Sequence, residues 1–218
     1  MSIDNGERRS LTERVYETLR SEILTARRRP ETLLLEHELA TEFGVSKTPI
    51  REALRLLVHE GWVTVLPRKG YLVRPLRFED VREIFALRRM IEPTLVVEAI
   101  KRSTPAQLDE LERIVDAQQA AEDIDAALDQ ATAFHVGIAK LANNKRAERV
   151  LLGLVDEARR MNHLTPALGR RVQEDAEIKD HRELVQAMRA QDIELAHEIM
   201  ERHSRESLRQ KLEGLTQI

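Results

Sequence analysis

Cysteine is absent from this 218-residue chain, so neither a disulfide framework nor a thiolate metal site is available, and nothing supports an oxidising compartment. No run of about 18 apolar residues occurs, and the start, MSIDNGERRSLTERVY, has no apolar export segment. A cytoplasmic protein with no membrane role is expected. Aromatic residues are scarce at 3%. What is abundant is charge, 33%, together with many Ala, Leu, Glu and Arg, which is the composition of packed amphipathic helices. The expected fold class is mainly α, and the length suits one large domain or two modest ones.

The net charge of −3 is unevenly spread: residues 1–76 hold 13 Lys and Arg against 11 Asp and Glu, and the remainder 22 against 27. A slightly basic head and an acidic body result, an asymmetry too small to carry an argument by itself. In the head, Leu11, Val15, Leu19 and Ile23 form one stripe of a first helix, with Ser10 or Thr12 as cap, ended by Pro30. A second short helix runs from Glu36 to Phe43, where Gly44 suits a left-handed cap. Ser46 or Thr48 then caps a third helix, with Pro49 in its first turn and Ile50, Ala53, Leu54, Leu57 and Val58 on its apolar face. After Gly61, WVTVLPRKGYLVRP reads as two strands joined through PRKG.

Three helices, a tight turn between the last two, and a hairpin make a winged helix-turn-helix over residues 8–76. In that motif the N-terminal end of the second helix of the pair enters the major groove, so Ser46, Lys47, Thr48 and Arg51 face DNA. Arg51 can grip guanine O6 and N7 with two bonds, and Lys47 or Thr48 can hold phosphate or a base edge. Arg68, Lys69 and Gly70 at the hairpin tip suit a wing meeting the backbone or minor groove. A merely solvated basic face is the plain alternative for Arg51 and Arg55. The ordered set of turn, cap, stripe, glycine and basic tip favours DNA.

Residues 77–218 read as a helical bundle. A long helix carries the stripe Val81, Ile84, Phe85, Ile91 and Leu95 with Arg88 in its midst. A charge there is costly unless paired, so Arg88 is expected either to bind an anion or to bridge to Glu92 one turn on. Further helices are expected over about 105–120, 124–142, 145–164, 172–190 and 193–215, with a looser stretch, TPALGRR, before the last two. His135, His181 and His203 lie on the apolar faces of three different helices. One such histidine is usually a hydrogen-bonded core residue, whereas imidazoles from facing helices are how bundles build metal sites. His37, His59, His163 and His197, near helix ends or on mixed faces, receive no metal role.

Residues 11–76, through VYETLRSEIL, ELATEFGVSKTPIREALRLLVHEGWV and PRKGYLVRPL, closely resemble the DNA-binding domain of the GntR family of bacterial transcription regulators. The resemblance implies that Lys47, Thr48 and Arg51 contact bases and phosphates and that Gly70 with its basic neighbours forms the wing. At His37 many members carry arginine, so one phosphate contact is altered. EIFALRRMIEP, AFHVGIAKLANNK and DHRELVQAMRAQDIELAHEIMERH resemble the FCD effector domain of the FadR subfamily. That domain implies dimerisation, an effector carboxylate near Arg88, and a divalent metal, zinc or nickel, on His135, His181 and His203 plus one acidic residue. The acidic position, four residues before His135, is Ala131. Asp129 is six residues away, about 600° of helix, and points some 120° off the histidine face. Two arrangements stay open: the three histidines hold the metal with water or the effector completing it, or the pocket is an anion site centred on Arg88.

The expected function is a homodimeric DNA-binding regulator, a repressor, acting on a near-palindromic operator and controlled by a small carboxylate metabolite. A metal-dependent hydrolase is the alternative, since three histidines and an open position also describe a catalytic zinc. It requires a general base beside the metal, and none is expected on the histidine faces. A helical scaffold without ligand would have little reason to bury Arg88 and three histidines.

Overall fold

A computed structural model of the chain describes residues 10–165 and 175–215. The start of the head at residue 8, most of TPALGRR and the beginning of the helix expected from Val172 lie outside the described residues. The chain forms two compact units, residues 1–76 and 77–218. Among the described residues there are nine helices and three short strands, a mostly helical protein with a small wing.

In the first unit, α1 (Leu11–Leu24) starts at a capping box: Ser10 Oγ accepts from the Glu13 N–H, and Glu13 accepts from the Ser10 N–H at 2.7 Å. Val15, Leu19 and Ile23 are buried, but Leu11 is 51% exposed; in the first turn it projects beyond the core, so the expected stripe begins one turn later. β1 (Leu33–Leu34) precedes α2 (Glu36–Phe43), which closes at Gly44 with φ +63°. α3 (Lys47–His59) buries Ile50, Ala53, Leu54 and Leu57. Ser46 stands at its N-cap without a side-chain capping bond. β2 (Val63–Leu66) and β3 (Gly70–Val73) form the antiparallel wing, and β1 adds to the other edge of β3, Leu34 opposite Tyr71.

The second unit is built from α4 (Phe78–Arg102), α5 (Pro105–Gln119), α6 (Ile124–Leu141), α7 (Lys145–Leu164), α8 (Asp175–Arg189) and α9 (Ile193–Leu215). Each break is chemically marked. Thr104 and Gln107 make a capping box for α5, and Asp123 and Asn144 accept first-turn N–H groups of α6 and α7. α4 packs against α6, α7 and α9, while α5 lies against α6 and α8. Their shared core includes Val96, Val115, Phe134, Leu151, Val185 and Ile199. Pro93 sits inside α4, buried, and has no N–H to return to the Arg89 carbonyl. No helix among the described residues is long and apolar enough to cross a membrane.

Candidate functional site

The exposed end of α3 carries Ser46, Lys47, Thr48, Arg51 and Arg55 on one face, away from the buried stripe. Arg51 is not a loose cation. Its Nε and Nη2 donate to both oxygens of Glu36, at 3.0 and 2.7 Å, and Tyr71 on the wing donates to the same carboxylate at 3.4 Å. Hydrogen bonds from Arg51 hold the Glu36 carboxyl below its ordinary pKa. The fork leaves the two Nη1 N–H groups and the second Nη2 N–H unspent, so the guanidinium is aimed while still able to donate. Arg68 and Lys69 are exposed at the wing turn, with Arg68 at φ +64°. Gly70 has a role the sequence did not suggest: at φ +112°, a Cβ there would lie 2.7 Å from the Leu34 carbonyl oxygen, so the bare backbone lets β1 join the wing.

In the second unit the structure brings His135, His181 and His203 together, all buried, each offering a nitrogen within 4.8 Å of the others. Ring centroids lie 4.8 to 5.2 Å apart. Each Nδ1 lies on the side of a protein acceptor, but only that of His181 forms a hydrogen bond, and His135 Nδ1 and Glu92 Oε2 have no hydrogen-bond partner. His181 Nδ1 lies 2.9 Å from Gln118 Oε1, His135 Nδ1 3.0 Å from Glu92 Oε2, and His203 Nδ1 3.6 Å from Asp180 Oδ2. An amide oxygen only accepts, so His181 carries its proton on Nδ1 and presents a bare Nε2, a buried atom with no hydrogen-bond partner. Phe134 stacks on that ring at 4.2 Å between centroids and fixes its plane.

Arg88 and Glu92 form the buried bridge that was one of the two readings of Arg88: Nε lies 2.5 Å from Oε1, with side chains 5% and 2% exposed. Arg88 Nη2 also lies 3.3 Å from His135 Nε2. Burial would raise the Glu92 pKa, but Arg88 and His135 outweigh it and hold the group well below the carboxylate range. Burial drives His135 down to about 4 and His181 well below its ordinary value. Both are neutral at pH 7, the form that ligates metal.

Beside the cluster is a cavity of about 40 Å³, room for about three waters. Arg88, Ala131, His135, Glu177, His203 and Lys211 help to line it. Ala131 is where sequence placed it, on the histidine face, and Asp129 points outward to Arg159. No general base was expected on the histidine faces, but Glu177, four residues before His181, lines the cavity from α8, and Glu92 approaches His135 from α4. Burial pushes the Glu177 carboxyl up, against the pull of His203, Lys211 and Arg88. Gln118 and Asp180 were also missed. Gln118 continues the α5 stripe of Leu108, Leu111 and Val115, the same signal of a polar group on an apolar face that singled out Arg88.

The residues fit a divalent cation. Tetrahedral nitrogens 2.1 Å from zinc stand about 3.4 Å apart, so the cluster must close by about 1.4 Å at most. The orphaned His181 nitrogen gains a partner, and that ring is oriented from behind by Gln118, as metal-binding imidazoles are. Arg88 must yield the His135 lone pair.

The model of bacterial regulatory proteins of the gntR family matches residues 11–73, and that of the FCD domain residues 83–206. An HTH-type transcriptional regulator in an unstable DNA locus of Streptomyces ambofaciens is 32% identical over 202 residues, 88% of this chain and 80% of its own. The HTH-type transcriptional repressor RspR of Escherichia coli is 26% identical over 90% of this chain and 86% of its own. A solved GntR regulator from Rhodococcus sp. RHA1 superposes with a TM-score of 0.79 at 25% identity, covering 93% of this chain and 97% of that one. These relatives are regulators, and the hydrolase alternative draws no support from them. A winged head with its basic helix end exposed, joined to a helical unit built around a polar cavity, is thus matched along nearly its whole length, and the chain belongs to the GntR family of bacterial transcriptional regulators, with an FCD ligand-binding domain.

Proposed function

We propose that the chain is a homodimeric repressor whose two heads bind a near-palindromic operator and whose FCD domain senses a small carboxylate together with a divalent cation, zinc or nickel. Arg51 reads a base with the donors Glu36 leaves unspent, Ser46, Lys47 and Thr48 hold phosphates or base edges, and Arg68, Lys69 and Gly70 form the wing contact. The repressor sense is supported by the likeness to RspR. His135, His181 and His203 would hold the cation, which when bound supplies a fixed positive charge for an anionic ligand. Arg88 would add a guanidinium to that carboxylate, at the cost of its contact with His135. The cavity favours a ligand of a few heavy atoms unless the helices move. A ligand preferring one setting of the helices then changes operator affinity by that preference.

The observation that carries the cation reading is the convergence of three buried imidazoles, each with a nitrogen within 4.8 Å of the others, with the His181 Nε2 left without a partner. The test is elemental mass spectrometry on tag-free protein prepared without chelator. One zinc or nickel per chain, to within about a fifth, is expected. Absence of any ion, even after incubation with each metal, would overturn the cation reading and leave an Arg88-centred anion pocket.

A further inference from the structure

Position 131 is alanine, yet a carboxylate stands at the corresponding place on another helix. Glu177 precedes His181 by four residues, as position 131 precedes His135. Residues at this spacing share a helix face one turn apart, so Glu177 lies on the side of α8 that presents His181. It lines the same cavity as Ala131, His135 and His203. Its surroundings are cationic, with the charges of Lys211 and Arg88 acting on it, yet among the described residues it makes no hydrogen bond or ion pair. The other acidic groups nearby are committed elsewhere. Glu92 is bridged to Arg88 and sits behind His135, on the Nδ1 side. Asp180 sits behind His203 and pairs with Arg202 at 2.7 Å. Asp129 is turned out to Arg159.

We propose that Glu177 is the acidic metal ligand of this chain, the carboxylate having moved from α6 to α8, so that one helix supplies Glu177 and His181 while α6 and α9 supply His135 and His203. Three imidazoles and one carboxylate make a complete four-coordinate set for a divalent ion. Glu177 lies outside the 4.8 Å cluster of the three imidazoles and would swing across the shared cavity to join them. This inference rests on the three-histidine cation reading.

The test uses full-length apo protein titrated with Co²⁺ alone, with affinity from competition against a chromophoric chelator and geometry from the visible d–d bands. Wild type is expected to bind one Co²⁺ per chain, E177Q to bind at least about 10-fold more weakly with altered bands, and E177Q/A131D to recover most of the loss. Equal affinity and bands in wild type and E177Q would overturn the assignment while leaving the three-histidine reading intact. A loss of affinity in E177Q with d–d bands unchanged from wild type would place Glu177 outside the coordination shell, acting by charge alone, and would likewise overturn it. No Co²⁺ uptake by wild type at saturation would bring down both readings together.

Discussion

Replacing Arg88 by methionine keeps most of its length and apolar contact but leaves Glu92 ionised in a site where its side chain is 2% exposed. The carboxylate keeps His135 at 3.0 Å as its nearest polar neighbour, but burial holds that ring neutral. Removing one partner of a buried pair costs about 3–5 kcal/mol, because the remaining charge has lost its counterion without regaining water. For a domain of this size each kcal/mol lowers Tm by about 2–4 °C, so R88M is expected to melt about 6–20 °C below wild type. E92L alone strands the guanidinium and should cost a similar amount. The double variant R88M/E92L removes both charges and should lie within about 1–2 kcal/mol of wild type, giving a coupling of several kcal/mol in a double-mutant cycle. Urea unfolding at pH 7.5, followed by circular dichroism on metal-free protein, measures all four corners. A cost below about 1 kcal/mol for R88M, or a double variant whose loss equals the sum of the singles, would refute the reading of Arg88 and Glu92 as one buried unit.

Three further outcomes are expected. R51A should lose about 1–3 kcal/mol of operator affinity and relax preference at one base pair, and E36Q should lose less by loosening the fork; gel-shift titration against operator variants checks both, and unchanged binding by R51A would remove Arg51 from the interface. G70A should destabilise the head, since φ +112° and a 2.7 Å approach to the Leu34 carbonyl both oppose a Cβ; equal thermal stability of G70A and wild type would sink that account. Apo-protein stability should fall as pH drops from 6.5 towards 4: the folded state keeps His135 and His181 neutral while the unfolded chain protonates them. Glu92 acts in the same sense below pH 4.5, and Glu177, raised by burial, contributes in the opposite sense, its stabilisation present at low pH and lost as pH rises through its folded value. A Tm flat between pH 7 and 5 would contradict the neutral, desolvated state of the two rings.

Periodicity exposed what repeats along one helix. The stripe from Ile50 to Leu57, the left-handed stop at Gly44, and the three inward histidines were legible because each depends on neighbours three or four positions away. The Arg88–Glu92 bridge was open to weighing for the same reason, being an i, i+4 pair. What sequence hid lies across elements. The Glu36 fork spans 15 positions, and the Gln118 support for His181 spans 63; no local pattern announces either. β1 escaped notice because two residues are too few to show alternation. Glu177 was hidden differently: its spacing to His181 was visible, but the acidic position that the family resemblance implies lies on the helix of His135.

Pro93 follows Glu92 directly, and its missing N–H takes one hydrogen bond out of the α4 ladder, between a rod of helix that precedes it and one that follows. The rod after it, ending at Arg102, includes Leu95, Val96, Ala99 and Ile100 and is locked into the apolar core. The rod before it bears Arg88 and Glu92, and the chain enters it at Phe78, five residues after the wing strand ends at Val73. From Arg88 back to Phe78 is about 15 Å of continuous helix. Val81, Ile84, Phe85 and Arg88 of that earlier stretch are themselves buried, so any shift of the Arg88 side chain meets a packed helix whose hydrogen-bond ladder is thinnest at the proline.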